Sequence, residues 1–183
     1  MGYFRANCYI FADEYTGEAV VIDPGDEVFR IMENIEELGV KVRYILLTHG
    51  HFDHTDGAEE LGRAVNAPVY IHRLDSHMLR FQPDGFLSDG DIFNLSSYSI
   101  KVIHTPGHTA GSVCFFTDSI IFTGDTLFAG SVGRTFSRRD HILLVQSIMK
   151  KIIPLGDHIK VYPGHGPSST IGKERISNPF LQF

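Results

Sequence analysis

The sequence has no tryptophan, two cysteines in 183 residues, and no apolar run long enough to cross a membrane. Cys8 and Cys114 lie far apart, outside any CxxC pattern and each in a strand-like run. They read as buried reduced thiols acting as small hydrophobes, with a disulfide between them left open. A clustered basic face is also missing: 16 Lys and Arg stand against 22 Asp and Glu, for a net charge of -6 and a pI near 5.9. The basic residues are scattered apart from Arg138-Arg139 and Lys150-Lys151, so neither a nucleic-acid partner nor an anionic membrane surface is expected. Met1 to Asn7 has neither the basic-then-apolar order of a secretory signal nor the look of a transit peptide, which makes the cytoplasm the default location. Low-complexity segments, short repeats and linkers are absent as well. With 43% hydrophobic and 21% charged residues, a single globular domain over residues 1–183 is expected.

What the chain does have is histidine in company. The stretch Thr48 to Gly57 follows an apolar run and brings together His49, His51, Asp53, His54 and Asp56. Histidines this close repel one another on protonation and gain nothing from packing, so a bound cation accounts for them. A solvated polar loop, the bland alternative, draws instead on Ser, Asn, Lys and Glu.

The remaining pattern reads as two strand-rich halves, each with helices. Residues 7–11 and 19–22 form a hairpin around Asp13 to Gly17, and Asp23-Pro24-Gly25 ends it. Val28, Ile31, Met32, Ile35 and Leu38 recur at helical spacing, with Asp26 as cap and Gly39 as stop. Residues 42–47 are a buried strand delivering the chain into the histidine cluster. Then come a short helix over 58–65, a strand over 68–72, a helical turn over 74–79 and a loop over 81–91. Strand pairs follow at 92–95 with 99–104 and at 112–117 with 119–123. A helix over 141–153, with Ile142, Leu144, Val145, Ile148, Met149 and Ile152 as its apolar face, precedes a last strand over 158–162. A sandwich of sheets covered by helices is expected.

Geometry constrains the cluster. His49 and His51 cannot share a helix face, whereas a loop with Gly50 between them lets both rings turn to one point. Asp53 and His54 are adjacent and must diverge, so four side chains reach one tetrahedral ion only awkwardly, and two neighbouring cations resolve this. Further ligands are available where a strand runs into a glycine followed by His or Asp: Gly107-His108, Gly124-Asp125 and Gly164-His165. A single histidine after a strand is ordinarily a hydrogen-bonded structural residue; three such sites beside the cluster reverse that reading. His72, His77, His104, His141 and His158 read as structural or surface residues. Asp23 is a candidate acceptor for the far ring nitrogen of a ligand histidine, or simply a strand-ending Asp.

His49-Gly50-His51-Phe52-Asp53-His54, with His108, Asp125 and His165 following in that order, resembles the metallo-β-lactamase superfamily. Thr105-Pro106-Gly107-His108-Thr109 and Phe122-Thr123-Gly124-Asp125-Thr126-Leu127-Phe128 look like its glyoxalase II branch, the hydroxyacylglutathione hydrolases. The resemblance implies an α+β fold, a four-layer αββα sandwich with the site at one edge. It implies that His49, His51 and His108 hold one metal, that Asp53, His54 and His165 hold the other, and that Asp125 bridges them. All seven ligands offer nitrogen or oxygen, so the two divalent ions are tolerated as Zn, Fe or Mn, with Zn the first choice for a hydrolase.

The implied reaction is hydrolysis of a small thioester of the acyl-glutathione type. Water held between the cations, whose pKa falls to about 7 on a single zinc, attacks the carbonyl while Asp53 handles the proton. Compared with full-length glyoxalase II, the C-terminal helical domain is missing. Residues 129–136 align with a glutathione-contacting loop that keeps a basic residue as Arg134, a contact for a substrate carboxylate, but has Phe136 where a tyrosine is usual. The alternatives are a persulfide dioxygenase with one iron on His49, His108 and Asp125, and a non-catalytic metal-binding module.

Overall fold

The computed structural model describes residues 2–182. β1 (Tyr9–Ala12) and β2 (Glu18–Ile22) form the expected hairpin, whose turn is closed by the Asp13 carboxylate accepting the backbone N–H groups of Tyr15 and Thr16. Next come α1 (Val28–Leu38), β3 (Lys41–Leu46), the single turn α2 (Phe52–Thr55), α3 (Ala58–Val65) and β4 (Val69–His72). After a 3-10 turn at Arg73–Met78 follow β5 (Gly85–Leu87), β6 (Ile92–Leu95), β7 (Tyr98–His104), β8 (Val113–Thr117) and β9 (Ile120–Gly124). The chain continues with β10 (Leu127–Phe128), β11 (Ser131–Val132), α4 (Arg138–Ser147), β12 (Lys160–Pro163), β13 (Ser169–Thr170) and α5 (Ile171–Ser177).

Two mixed sheets result. One runs β1-β2-β3-β4-β5, parallel except for β1; the other runs β13-β12-β9-β8-β7-β6, antiparallel except where β12 lies parallel to β9. β10 and β11 form a separate small ribbon.

Period-2 alternation assigns each strand face. Val20, Ile22, Leu46, Val113, Phe115 and Phe122 turn inward and fuse the two sheets into one core. Their neighbours Val21, Ile45 and Leu47 turn outward against Val28, Ile31 and Ile35 of α1 and Leu61 of α3. On the opposite side Ile103, Cys114, Ile121 and Val161 meet Leu144 and Val145 of α4 and Ile171 of α5. The order is helix, sheet, sheet, helix, which is the αββα sandwich expected.

Several local expectations are corrected. Asp26 does not cap α1: the cap position is Glu27, in the left-handed region at φ 52°, and Asp26 Oδ1 accepts the Glu27 N–H instead. Within that helix Met32 and Leu38 are exposed. The loop over 81–91 contains β5, which lies parallel to β4. The helix expected over 141–153 starts earlier, at Arg138 with Ser137 as cap, and passes into a π-helical turn at Ile148–Ile152, so that Ile142 and Met149 face solvent. The second half of the histidine cluster is not loop but the helical turn α2, which separates the directions of Asp53 and His54 from those of His49 and His51. Cys8 and Cys114 are both free thiols.

β7 and β9 both run antiparallel to β8, and β12 runs parallel to β9, so β7, β9 and β12 end at one edge. β3 of the other sheet ends there too, since Val113 at the start of β8 donates its N–H to Thr48 O at 2.8 Å.

Candidate metal centre

Four strand ends supply the seven residues, six of which fall into two trios, with Asp125 the seventh. The ring nitrogens of His49, His51 and His108 lie within 4.8 Å of one another, as do the donor atoms of Asp53, His54 and His165.

Hydrogen bonds on the far side of each ring fix which nitrogen is free. Thr48 Oγ1 donates to Asp23 Oδ2 at 2.6 Å, so at 3.0 Å it can only accept from His49 Nδ1. His54 Nδ1 donates to Asp23 Oδ2 at 3.0 Å, and His108 Nδ1 donates to the Arg134 carbonyl at 2.7 Å. In its neutral form each of these rings therefore presents a lone pair on Nε2. His51 presents Nδ1, which lies 3.0 Å from His49 Nε2 and 3.0 Å from His108 Nε2. With His51 neutral and its proton on Nε2, three lone pairs converge on one spot, an arrangement that a cation among them satisfies.

The second trio repeats the arrangement with a carboxylate. His54 Nε2 lies 3.2 Å from His165 Nε2, which is 3.3 Å from Asp53 Oδ2. Asp125 lies between the trios, with Oδ2 3.4 Å from His108 Nε2 and Oδ1 3.5 Å from His54 Nε2. Its Oδ1 is buried and, among the described residues, has no hydrogen-bond partner. An orphaned buried carboxylate oxygen is costly, and a divalent ion on each side removes the cost. The donor set fits two such ions. Asp23, His49 and His54 also meet within 4.8 Å, but both Asp23 oxygens are occupied by Thr48 and His54.

Electrostatics follow from burial. His49 is held well below the ordinary imidazole range by burial and then by the surrounding rings, so it stays neutral and ready to ligate. Burial opposes charge on His54 too, but the Asp23 hydrogen bond and the charges of Asp23, Asp125 and Asp53 outweigh it and push the ring up to about 9. His165 is raised by its hydrogen bond to Asp53, against the effect of burial. Asp53 is lowered overall: burial opposes its charge, and His165 and His54 overcome that.

Close packing explains the glycines. A Cβ on Gly164 would strike Asp125 Oδ1 and come within 2.8 Å of His54 Cε1. Gly50 needs no special backbone angle; a Cβ there would come within 2.9 Å of Asp75 O and Met78 Cβ. Gly107 combines both demands, with φ at 145° and its missing Cβ filled by the Leu144 backbone of α4.

Arg134 contributes through its backbone carbonyl, while its side chain is exposed with the guanidinium 5.6 Å from the Phe136 ring. Of the other histidines, His72 and His104 stack on each other at 4.3 Å outside the centre, and His104 Nε2 bonds the Ala110 carbonyl. His77 and His158 are exposed, and His141 packs against Phe180. Two hollows open onto the metal-binding residues. One, of about 460 Å³, joins Asp53 to Phe4, Phe29 and Phe52; the other, of about 480 Å³, joins His51 and His108 to Phe136 and Arg139. A larger hollow of about 640 Å³ beside Cys8 and Asn34 touches none of the seven.

Sequence reasoning missed two parts of this centre. A backbone carbonyl such as that of Arg134 leaves no residue-type signal. Asp75, buried in the 3-10 turn after β4, was not singled out, although it follows closely on an apolar strand, as the donor residues do.

A four-layer sandwich with two converging N/O donor trios at its strand ends defines a metallo-hydrolase of one fold. The chain belongs to the metallo-beta-lactamase superfamily, whose family model matches residues 1–165. It is 37% identical to the hydroxyacylglutathione hydrolase GloC of Haemophilus influenzae, over 97% of this chain and 93% of that protein. Among solved structures, the B3 metallo-beta-lactamase BLEG-1 superposes with a TM-score of 0.94 at 33% identity, covering 100% of this chain and 97% of that one. TTHA1623, solved in a di-iron-bound form, gives a TM-score of 0.83 at 32% identity, covering 99% and 98%. Among the described residues no helix is long and apolar enough to cross a membrane.

Proposed function

We propose that the protein is a binuclear metal hydrolase of the glyoxalase II type, cleaving a small thioester related to acyl-glutathione. The observation that carries this is the pair of donor trios joined by Asp125, with its buried, unpartnered Oδ1. Kinship to a hydroxyacylglutathione hydrolase over nearly the full length of both chains supports the thioester.

His49, His51 and His108 would hold one ion, Asp53, His54 and His165 the other, and Asp125 both. Zinc is the first choice for this donor set and a hydrolase, and iron is compatible, TTHA1623 having been solved with two irons. Bound there, two divalent ions supply Lewis acidity, lowering the pKa of water and polarising a carbonyl.

The residues do the rest. Asp53, held ionised by His165 and His54 and lining the 460 Å³ hollow, is placed to take the proton from the attacking water and return it to the departing thiolate. The hollow beside His51 and His108, with Arg139 in its wall and Arg134 near Phe136, offers cations for the carboxylates of the thiol carrier. The Asp53 side, lined also by Asp26, Glu27, Asp56 and Glu60, repels such carboxylates and is left to the acyl group. Phe136 provides apolar surface but no hydroxyl, so selectivity for glutathione should be weaker than a tyrosine there would give.

The test is elemental analysis of the purified protein together with assays on S-lactoylglutathione, on glutathione persulfide and on a chromogenic β-lactam. Two metals per chain with thioester hydrolysis is the expected result. One iron per chain, oxygen uptake on the persulfide and no hydrolysis would establish the dioxygenase in its place. Turnover of the β-lactam alone would move the substrate class to that of BLEG-1.

A further inference from the structure

The three rings of the first trio come from two loops that are far apart in sequence. His49 and His51 flank Gly50 after β3, and His108 lies between β7 and β8. One buried side chain touches both loops and none of the seven ligands. Asp75 is 1% exposed. Its Oδ2 accepts the Gly50 N–H at 3.0 Å and the Thr109 hydroxyl at 2.6 Å, and its Oδ1 accepts the Gly111 N–H at 2.7 Å. The Thr109 hydroxyl, having donated to Asp75, accepts in turn from Ser112 Oγ at 2.7 Å.

Chemistry makes this contact demanding. A buried carboxylate is tolerated only if its oxygens are satisfied, and among the described residues Asp75 has no ion-pair partner within 4.0 Å. Its three donors therefore carry the whole burden, and they belong to the His49-His51 loop and the His108 loop. Both loops also give up side-chain volume for it: a Cβ on Gly111 would lie 2.6 Å from Asp75 Cγ, and one on Gly50 would lie 2.9 Å from Asp75 O. Asp23 lies under both trios, bonding His54 Nδ1 directly and His49 Nδ1 through Thr48, but no hydrogen bond joins it to the His108 loop.

We infer that Asp75 is a positioning residue for one metal only: it sets the distance between the two loops that form the His49-His51-His108 site, and it makes no hydrogen bond to the Asp53-His54-His165 site. The inference rests on the binuclear reading of the centre. Its consequence is an asymmetry that general damage to the fold does not produce. Asp75→Asn keeps the shape but replaces one acceptor oxygen by an NH₂ facing donors, which parts the loops.

The experiment titrates the metal-free full chain with Co(II) and follows the paramagnetically shifted ring N–H protons of His49 and His108 on one side and of His54 on the other. In Asp75→Asn the midpoint for His49 and His108 should move to at least tenfold higher cobalt, while that for His54 stays within twofold of the wild-type value. Asp23→Asn, which weakens the support of both His54 and, through Thr48, His49, should by contrast move the His54 midpoint as well. Thr109→Ala, which removes one donor and keeps the carboxylate, should move the first midpoint a few-fold in the same direction, and it serves where Asp75→Asn fails to fold. Equal shifts at all three protons, or no shift at all, overturn the inference. If the wild-type chain takes up no cobalt, it is the binuclear reading that fails.

Discussion

At the scale of single residues, the centre is a set of lone pairs aimed inward by bonds facing outward. Under the proposed binuclear reading Asp125 would serve both ions, since its carboxylate lies within 4.0 Å of His108 in one trio and of His54 and His165 in the other, and its Oδ1 has no hydrogen-bond partner among the described residues. Asp125→Ala should lose both metals or nearly so, measured by elemental analysis; full metal content and an unchanged rate in that variant would contradict the bridging role. Without metal the histidines set the pH range of stability. His54, raised from 6.5 to about 9, contributes stability that is complete below pH 6.5 and is lost as pH rises through 9. His49, lowered by burial, has the opposite sign: below pH 6.5 the unfolded chain takes up a proton that the folded ring refuses, so stability falls with acid. Chelator-treated protein should therefore show its highest urea midpoint near pH 6.5, and Asp23→Asn should flatten the alkaline side. An alkaline side that remains steep in that variant would assign the loss to another group. The seven candidate donor residues were legible in the sequence, four because histidine and aspartate crowd between His49 and His54 and three because His108, Asp125 and His165 each follow a strand–glycine junction. Asp75 was not, because its role is defined by which backbone N–H groups reach it in space, and a lone Asp in a turn carries no trace of that.

At the scale of elements, strands with a strict inside-outside alternation were readable, and so were α1 and α3. β5 was not, because its three residues have too little length for a period and take their extended form from pairing with β4. α5 is short, and its start is marked only by Thr170, whose hydroxyl accepts the Lys173 N–H. α4 shows why boundaries matter to function. It packs directly on Gly107, and its last residue, Ser147, donates to the Pro106 carbonyl at 3.0 Å. Lys151, in the π-helical turn, donates to the His104 carbonyl at 2.8 Å. The π turn widens the helix by one residue where Lys151 reaches the end of β7, from which the loop bearing His108 starts. Gly107→Ala should be costly on two counts, a left-handed backbone angle and collision with the Leu144 backbone. An expected loss of about 1 kcal/mol or more in stability should accompany weakened metal binding, read by thermal melting and metal content on the same sample. A stable variant with full metal would show that α4 does not bear on the loop.

At the scale of the whole molecule, each trio draws on both sheets. His49, His51, Asp53 and His54 follow β3 in the first sheet, while His108, Asp125 and His165 follow β7, β9 and β12 in the second. Metal thus binds the native arrangement and not the unfolded chain, and an ion held at a thousand times its Kd adds about 4 kcal/mol. Chelation should lower the melting temperature, and restored zinc should raise it again in proportion to the logarithm of its free concentration. A melting temperature indifferent to chelator would mean that the sandwich core alone holds the halves together. One further contact has a bearing on how the centre is assembled in time. Asn7 donates its side-chain N–H groups to the carbonyls of Pro163 and Gly166, Tyr9 donates its hydroxyl to Pro163 O, and Ala6 bridges His165. The Asn7–Pro163 pair spans 156 positions. The loop that carries the last donor is therefore moored to the first strand. During synthesis the second trio has to wait until the ribosome has released residues 163–166 and they have travelled back to the start of the domain. A nascent chain halted before His108 would display four clustered cation-seeking side chains with neither trio complete, and one halted before His165 would hold Asp53 and His54 without their third partner, states in which the wrong ion could be caught.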